Sequence, residues 1–236
     1  MWFSLTNDGM RLNVSHLERH IYSPAIGNFP SEPASYRFHS QVLLLPLDIG
    51  PVGYPELTIE LWFRMREERG TGSRAAQRGW LIGHAPIPGQ SDRGVAAAES
   101  RGIAVDDASY GGIAAPGGTP YVSHLGYPRK CVWYHVVAVF QHGQSIPVVL
   151  NGGGSQAGGL PGGMIDYRDV NSREGDPELA LGGLNHYAGT APDADIAMLR
   201  IYSRAFTVEE AAQRYRSSCG LYNQCRAPDQ DHHECA

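Results

Sequence analysis

Residues 57–65 read Leu57-Thr58-Ile59-Glu60-Leu61-Trp62-Phe63-Arg64-Met65. The odd positions are all apolar and three of the four even ones are polar. Successive side chains of an extended chain point to opposite faces, so this period of two predicts a half-buried strand with one face on a core. Working outward, Tyr36 to Leu47 reads as the strand preceding it and the two are expected to pair. Cys131-Val132-Trp133-Tyr134-His135-Val136-Val137-Ala138-Val139-Phe140 reads as a central strand with both faces covered. Gln141 to Gln144 reads as a turn, and Ser145 to Leu150 as the second arm of a hairpin ending at Asn151-Gly152. Gly79 to Gly83, Gly102 to Asp106, Glu178 to Gly183 and Ile196 to Tyr202 supply further short strands. Thr207-Val208-Glu209-Glu210 opens a short helix running to about Arg216, with Thr207 as N-cap and Glu210 closing a capping box.

Glycine and proline, 29 and 16 of 236 residues, gather between these runs and punctuate them with turns. The chain is 42% apolar and 18% charged, which is enough to bury a core. Its length suits one β-sandwich domain. A net charge of −5 leaves no basic field for a phosphate backbone, so nucleic acid is disfavoured. No apolar run has the length of a membrane span.

Five pieces in order resemble the laminin-G-like jelly-roll superfamily, related to the concanavalin A-like lectins and glucanases. They are Leu57 to Phe63, Trp133 to Phe140, Val148-Val149-Leu150-Asn151-Gly152, Leu181-Gly182-Gly183, and Ile196 to Glu210. The resemblance covers roughly residues 36–216. It implies an all-β fold: a two-sheet antiparallel β-sandwich, or jelly roll, with a short C-terminal helix and a cysteine-containing tail. The expected organisation is an N-terminal extension over 1–35 packed on the sandwich, the sandwich over 36–216, and the tail over 217–236. Members of that superfamily mostly bind glycans, proteins or lipid head groups, often with calcium, and less often hydrolyse polysaccharides. The acidic pair those proteins commonly carry before the last strand is replaced here by Ala197 and Met198, with Asp193 and Asp195 just upstream as substitutes.

Candidate sites follow from residue chemistry. Calcium needs six to eight oxygen ligands, which points to Asp106 with Asp107 and to Asp193 with Asp195, against the ordinary reading of turn aspartates bonding to their own backbone. Asp166 with Asp169 qualifies by residue type as well. Tyr110, Tyr121, Tyr127 and Tyr187 lie in or beside glycine-rich stretches and are the candidates for stacking on a sugar, whereas Trp62, Trp80 and Trp133 read as core. Cys131, Cys219, Cys225 and Cys235 are disulfide candidates with three connectivities open, and the late cluster suits an extracellular module. Asn13-Val14-Ser15 is a glycosylation sequon compatible with export. Glu174-Gly175-Asp176-Pro177-Glu178 resembles the Glu-x-Asp-x-Glu of laminarinases and lichenases, but Gly175 and Pro177 would break a central strand. Gly152 to Gly163 reads as a flexible loop and not a phosphate cradle, because no Gly-Lys-Ser/Thr ending follows it. His135 reads as a hydrogen-bonded core histidine, and the tail from Asp229 to Cys235 as solvated and tied down by a disulfide. The expected function is a non-catalytic extracellular or cell-surface recognition module for a glycan or partner protein, with calcium as its cofactor. The alternatives are a structural or assembly domain of a larger complex and, third, a glycoside hydrolase.

Overall fold

The computed structural model describes residues 5–6, 9–11, 36–38, 42–45, 47, 49, 54–66, 79–84, 93–98, 102–106, 121–122, 128–141, 147–157, 179–183, 192–222 and 224–225. Among them the strands are β1 (Leu5–Thr6), β2 (Gly9–Arg11), β3 (Tyr36–Phe38), β4 (Leu43–Leu45), β5 (Glu56–Met65), β6 (Gly79–His84) and β7 (Arg93–Ala98). Then come β8 (Gly102–Asp106), β9 (Tyr121–Val122), β10 (Trp133–Gln141), β11 (Pro147–Leu150), β12 (Gly153–Ala157), β13 (Leu179–Leu181) and β14 (Ala194–Tyr202). A helix α1 (Val208–Ser218) and a 3₁₀ turn (Cys219–Tyr222) follow.

The strands form two antiparallel sheets. The larger runs β1-β2-β14-β5-β10-β11-β12, with β3 also on β14, and the smaller runs β4-β13-β6-β7-β8-β9. Leu57, Ile59, Leu61, Phe63 and Met65 of β5 share one buried core with Val136, Ala138 and Phe140 of β10 and with Leu45, Leu81, Ile82, Val95, Leu179 and Leu181 of the smaller sheet. The odd-position face of residues 57–65 is therefore the inner face of a β-sandwich, as the alternation requires.

Three local expectations are corrected. Tyr36 to Leu47 does not pair with β5: β3 joins β14 in one sheet and β4 joins β13 in the other, so the chain changes layer within this stretch. The first part of the glycine-rich stretch is strand β12, because Asn151 and Gly152 both take positive φ, 49° and 67°, and turn the chain back along β11. Finally, β5 is buried on both faces; Thr58, Glu60, Trp62 and Arg64 are 0%, 0%, 0% and 5% exposed.

Helix α1 explains that second burial. Thr207 caps it and Glu210 completes the capping box, as expected, and Thr58 Oγ1 ties the approach by donating to the Arg204 carbonyl at 2.8 Å and accepting from Phe206 N at 3.0 Å. The first part of the helix settles with Phe206 and Ala211 over Val137, Val139 and Val149. Its end, with the 3₁₀ turn, places Tyr215, Cys219 and Tyr222 over Trp62 and Trp133. A disulfide between Cys219 and Cys225 closes this last loop.

The close approach at Gly152 offers a test. A Cβ there would lie 2.5 Å from Tyr215 Cδ1, at a φ of 67° that L side chains avoid. Gly152→Ala should lower stability by about 1–2 kcal/mol from backbone strain alone and shift tryptophan emission as Tyr215 lifts from Trp62. Chemical denaturation followed by fluorescence measures both, and an unchanged midpoint would contradict the packing described.

Candidate functional site

The outer face of the large sheet carries the densest polar chemistry of the described residues. Cross-strand register sets His135 opposite Trp62 and Arg200 opposite Glu60. Glu60 Oε1 lies 3.1 Å from His135 Nε2, and Tyr202 Oη donates to Glu60 Oε2 at 2.7 Å. A carboxylate only accepts, so His135 Nε2 carries the hydrogen. Arg200 Nη1 stands 3.8 Å from the same Oε2. Burial by itself would raise the Glu60 pKa, but the His135 contact, the Tyr202 hydroxyl and the Arg200 charge together hold it below the usual carboxylate value. Burial, then the Glu60 carboxylate, push the Tyr202 phenol up to about 12 against the opposing pull of Arg214 and Arg200.

Aromatic rings roof this row. Tyr222 stacks on Trp62 at 4.0 Å and 11°, Tyr215 lies 5.9 Å from Trp62 and from the His135 ring, and Trp62 Nε1 donates to Ser218 Oγ at 3.0 Å. Asn151 completes the frame: its Oδ1 accepts from His135 N at 2.8 Å, and its own N donates to the His135 carbonyl at 2.9 Å. His135 is thus the core histidine expected of it. Its Nδ1 is buried without a hydrogen-bond partner among the described residues.

At the other end of β14, Asp195 is 1% exposed and its Oδ2 accepts from Arg64 Nε and Arg66 Nε, each at 2.6 Å. The Arg64 guanidinium also covers the Trp133 ring at 4.8 Å. Asp193 receives Arg37 in a bidentate pair at 3.1 and 3.0 Å. The two aspartates considered for calcium near the last strand therefore face guanidinium groups, and among the described residues no three or more His, Cys, Asp or Glu side chains gather as a metal site. Asp106 ends β8, paired in register with Gly94. Tyr121 opens β9, the edge of the smaller sheet, opposite Val105. Asp107, Tyr110, Tyr127, Asp166, Asp169, Tyr187, Glu174 to Glu178, Asn13 and Cys235 lie outside the described residues. Of the cysteines, Cys219 pairs with Cys225, and Cys131, at φ 64°, is also disulfide-bonded. Trp62, Trp80 and Trp133 are buried, as expected.

Sequence reasoning missed the Glu60–His135–Tyr202 cluster as a unit. Its signal was present as parity, since each residue falls on the non-core face of its own strand, but three faces meet only once strand order and register are known.

What this arrangement can do is hold charge in place. Its groups are occupied by one another beneath α1, which suits a stabilising role. Because the folded-state pKa of Glu60 lies below the ordinary 4.5, the stability it confers is complete above that value and is lost as pH falls through the folded value. Glu60→Gln should cost roughly 2–3 kcal/mol at neutral pH and flatten the acid limb of the stability profile. A variant as acid-sensitive as the parent in pH-dependent urea denaturation would show that Glu60 does not carry this limb.

Comparison with known proteins agrees with the architecture. Among solved structures, Trypanosoma rangeli sialidase aligns at 15% identity and a TM-score of 0.51 over 80% of this chain and 28% of that one. Its covalent-intermediate complex with 2,3-difluorosialic acid aligns at 14% identity and a TM-score of 0.51, with the same coverage of 80% and 28%. The receptor binding domain of botulinum neurotoxin mosaic serotype C/D aligns at 13% identity and a TM-score of 0.47 over 81% of this chain and 44% of that one. At such identities the likeness to the sialidases is one of fold, and the chain spans less than a third of the sialidase chains, 28%. No curated protein sequence matches the chain. The sequence profile named Laminin_G_3 matches residues 46–212, and the chain therefore belongs to the concanavalin A-like lectin/glucanases superfamily.

Proposed function

We propose that this chain is a non-catalytic, extracellular recognition module that binds a glycan or a glycan-bearing partner protein through the rim formed by the β8–β9 edge of the smaller sheet. The observation that carries the reading is that, among the described residues, the three carboxylates on β5 and around the start of β14 are occupied by partners within the fold. Glu60 serves His135 and Tyr202, Asp195 serves Arg64 and Arg66, and Asp193 serves Arg37. A retaining glycosidase needs two carboxyls about 5 Å apart and open to substrate. In this reading the framework carboxylates hold the fold and recognition falls to the segments between strands. Two candidate tyrosines bracket one such segment: Tyr110 follows β8, and Tyr121 begins β9. Tyrosine rings offer a flat apolar face with a polar tip, the chemistry that stacks on a pyranose. Disulfide bonding at Cys131, Cys219 and Cys225 supports an oxidising compartment. The lectin/glucanase superfamily and the sialidase neighbour solved with 2,3-difluorosialic acid support saccharides as the ligand class.

Calcium enters this reading at Asp106 and Asp107, the aspartates at the start of that same segment, since Asp193 and Asp195 hold arginines. A cation there would order the segment carrying Tyr110.

A second reading rests on β4, an edge strand of the smaller sheet on which Leu44 is 43% exposed, next to Val42 at 39%. Exposed apolar residues on a sheet edge favour strand addition, so assembly with a neighbouring module is the alternative.

Millimolar calcium should raise the thermal midpoint of the parent, and the rise should vanish in Asp106→Asn/Asp107→Asn. On an immobilised glycan panel, Tyr110→Ala and Tyr121→Ala should each weaken the best ligand about tenfold, the worth of one aromatic contact. Unaltered glycan binding by both tyrosine variants would move the site elsewhere. Absence of any glycan binding, with self-association lost on Leu44→Lys, would favour the assembly reading.

A further inference from the structure

On the outer face of the large sheet, beside α1, stand two guanidinium groups that the fold does not use up. Arg214, in α1, lies over the Tyr202 ring at 5.3 Å and the Phe206 ring at 5.6 Å, half-exposed, with neither an ion pair nor a hydrogen bond from its guanidinium among the described residues. Arg200, two residues before Tyr202 and on the same face of β14, keeps 29% of its side chain exposed and, among the described residues, has Glu60 as its one ion-pair partner, at 3.8 Å. That carboxylate already receives His135 and Tyr202 at 3.1 and 2.7 Å. The neighbouring arginines are in a different condition: Arg204 pairs with Glu210 at 2.8 Å, and Arg216 with Glu209 at 2.5 Å.

A second observation comes from register. Arg200 is flanked by Glu60 on β5 and, on the other side, by Arg11 on β2. This strip therefore sets two arginines, Arg200 and Arg214, against one internally committed carboxylate, in a chain whose net charge is −5. Arg200 precedes Tyr202 by two residues on β14 and Arg214 lies over the Tyr202 ring, so both charges neighbour that one side chain.

We propose that Arg200 and Arg214, bracketing Tyr202, form a binding site for an oxyanion, the carboxylate or sulfate of an acidic saccharide. Planar guanidinium groups are suited to such oxygens, offering paired N–H donors in a fixed fork. The anion would neutralise the excess positive charge of the strip. The inference rests on the recognition reading but names a different place, on the large sheet beside α1.

The test uses the full chain and four probes measured by titration calorimetry: a sulfated dextran oligosaccharide, an oligogalacturonate, neutral dextran and inorganic sulfate. The parent should bind one or both acidic oligosaccharides, with affinity falling as salt rises, and should ignore neutral dextran. Arg214→Gln decides the matter because its guanidinium holds no ion pair among the described residues; it should weaken binding about tenfold while the thermal midpoint falls only by the small amount that the lost contact with the Tyr202 and Phe206 rings accounts for, and Arg214→Lys should fall between. Arg200→Gln should act in the same direction. Sulfated and carboxylated probes separate the two oxyanions. Acidic saccharides bound equally well by parent and Arg214→Gln would overturn the site while leaving the recognition reading intact. Inorganic sulfate bound as tightly as the oligosaccharides would overturn the saccharide as ligand. A parent that binds no saccharide on this or the immobilised panel would end both.

Discussion

One buried carboxylate organises the outer half of this molecule. Glu60 sits fully enclosed at the centre of the long strand β5, and its charge is stable there only because His135, Tyr202 and Arg200 surround it. Isolated burial of a carboxylate is costly, whereas one with several donors is tolerated. Those donors come from β10 and β14, the two neighbours of β5, so the pairing order of the large sheet and the satisfaction of Glu60 demand one another. The aromatic roof follows. With polar groups neutralised beneath them, α1 and the 3₁₀ turn can lay Tyr215 and Tyr222 on Trp62 and close a second apolar layer over a sheet face that would otherwise be wet.

The consequence for function is a division of labour. The large sheet is covered on both sides, by the sandwich core and by α1, and its framework charges are spent on one another. Asp195 between Arg64 and Arg66 repeats the pattern at the other end of β14. The surfaces proposed for a ligand are the β8–β9 edge of the smaller sheet and the margin of α1, where Arg200 and Arg214 stand. In a superfamily whose fold serves both lectins and glucanases, fold alone does not choose between them. The choice proposed here rests on where carboxylates point.

Sequence patterning made the inner core legible. Leu57, Ile59, Leu61, Phe63 and Met65 alternate without interruption, and the capping box at Thr207 and Glu210 announces α1 two residues short of its end. What could not be seen was what α1 covers. Thr58, Glu60 and Arg64 look like a solvated face, because a polar residue satisfied by a partner 75 positions away along the chain, as Glu60 is by His135, carries the same letter as one satisfied by water. The layer change between β3 and β4 was hidden for a related reason: strand propensity says nothing about which sheet a strand joins. Strand β12 was hidden because Gly153, Gly154 and Ser155 offer no apolar alternation to read. Asp193 and Asp195 had the composition of cation ligands and the surroundings of salt-bridge partners, a distinction that Arg37, Arg64 and Arg66 supply from elsewhere in the chain.

The central claim is binding without turnover, and it is tested most directly by recovering a captured glycan and weighing it. The best ligand from a glycan panel would be held with excess protein for hours at each of several pH values and then released and examined by mass spectrometry. Intact ligand, recovered quantitatively across the pH range in which the protein stays folded, is the result this account predicts. Shortened products or new reducing ends that accumulate with time would contradict it and identify the chain as a glycoside hydrolase.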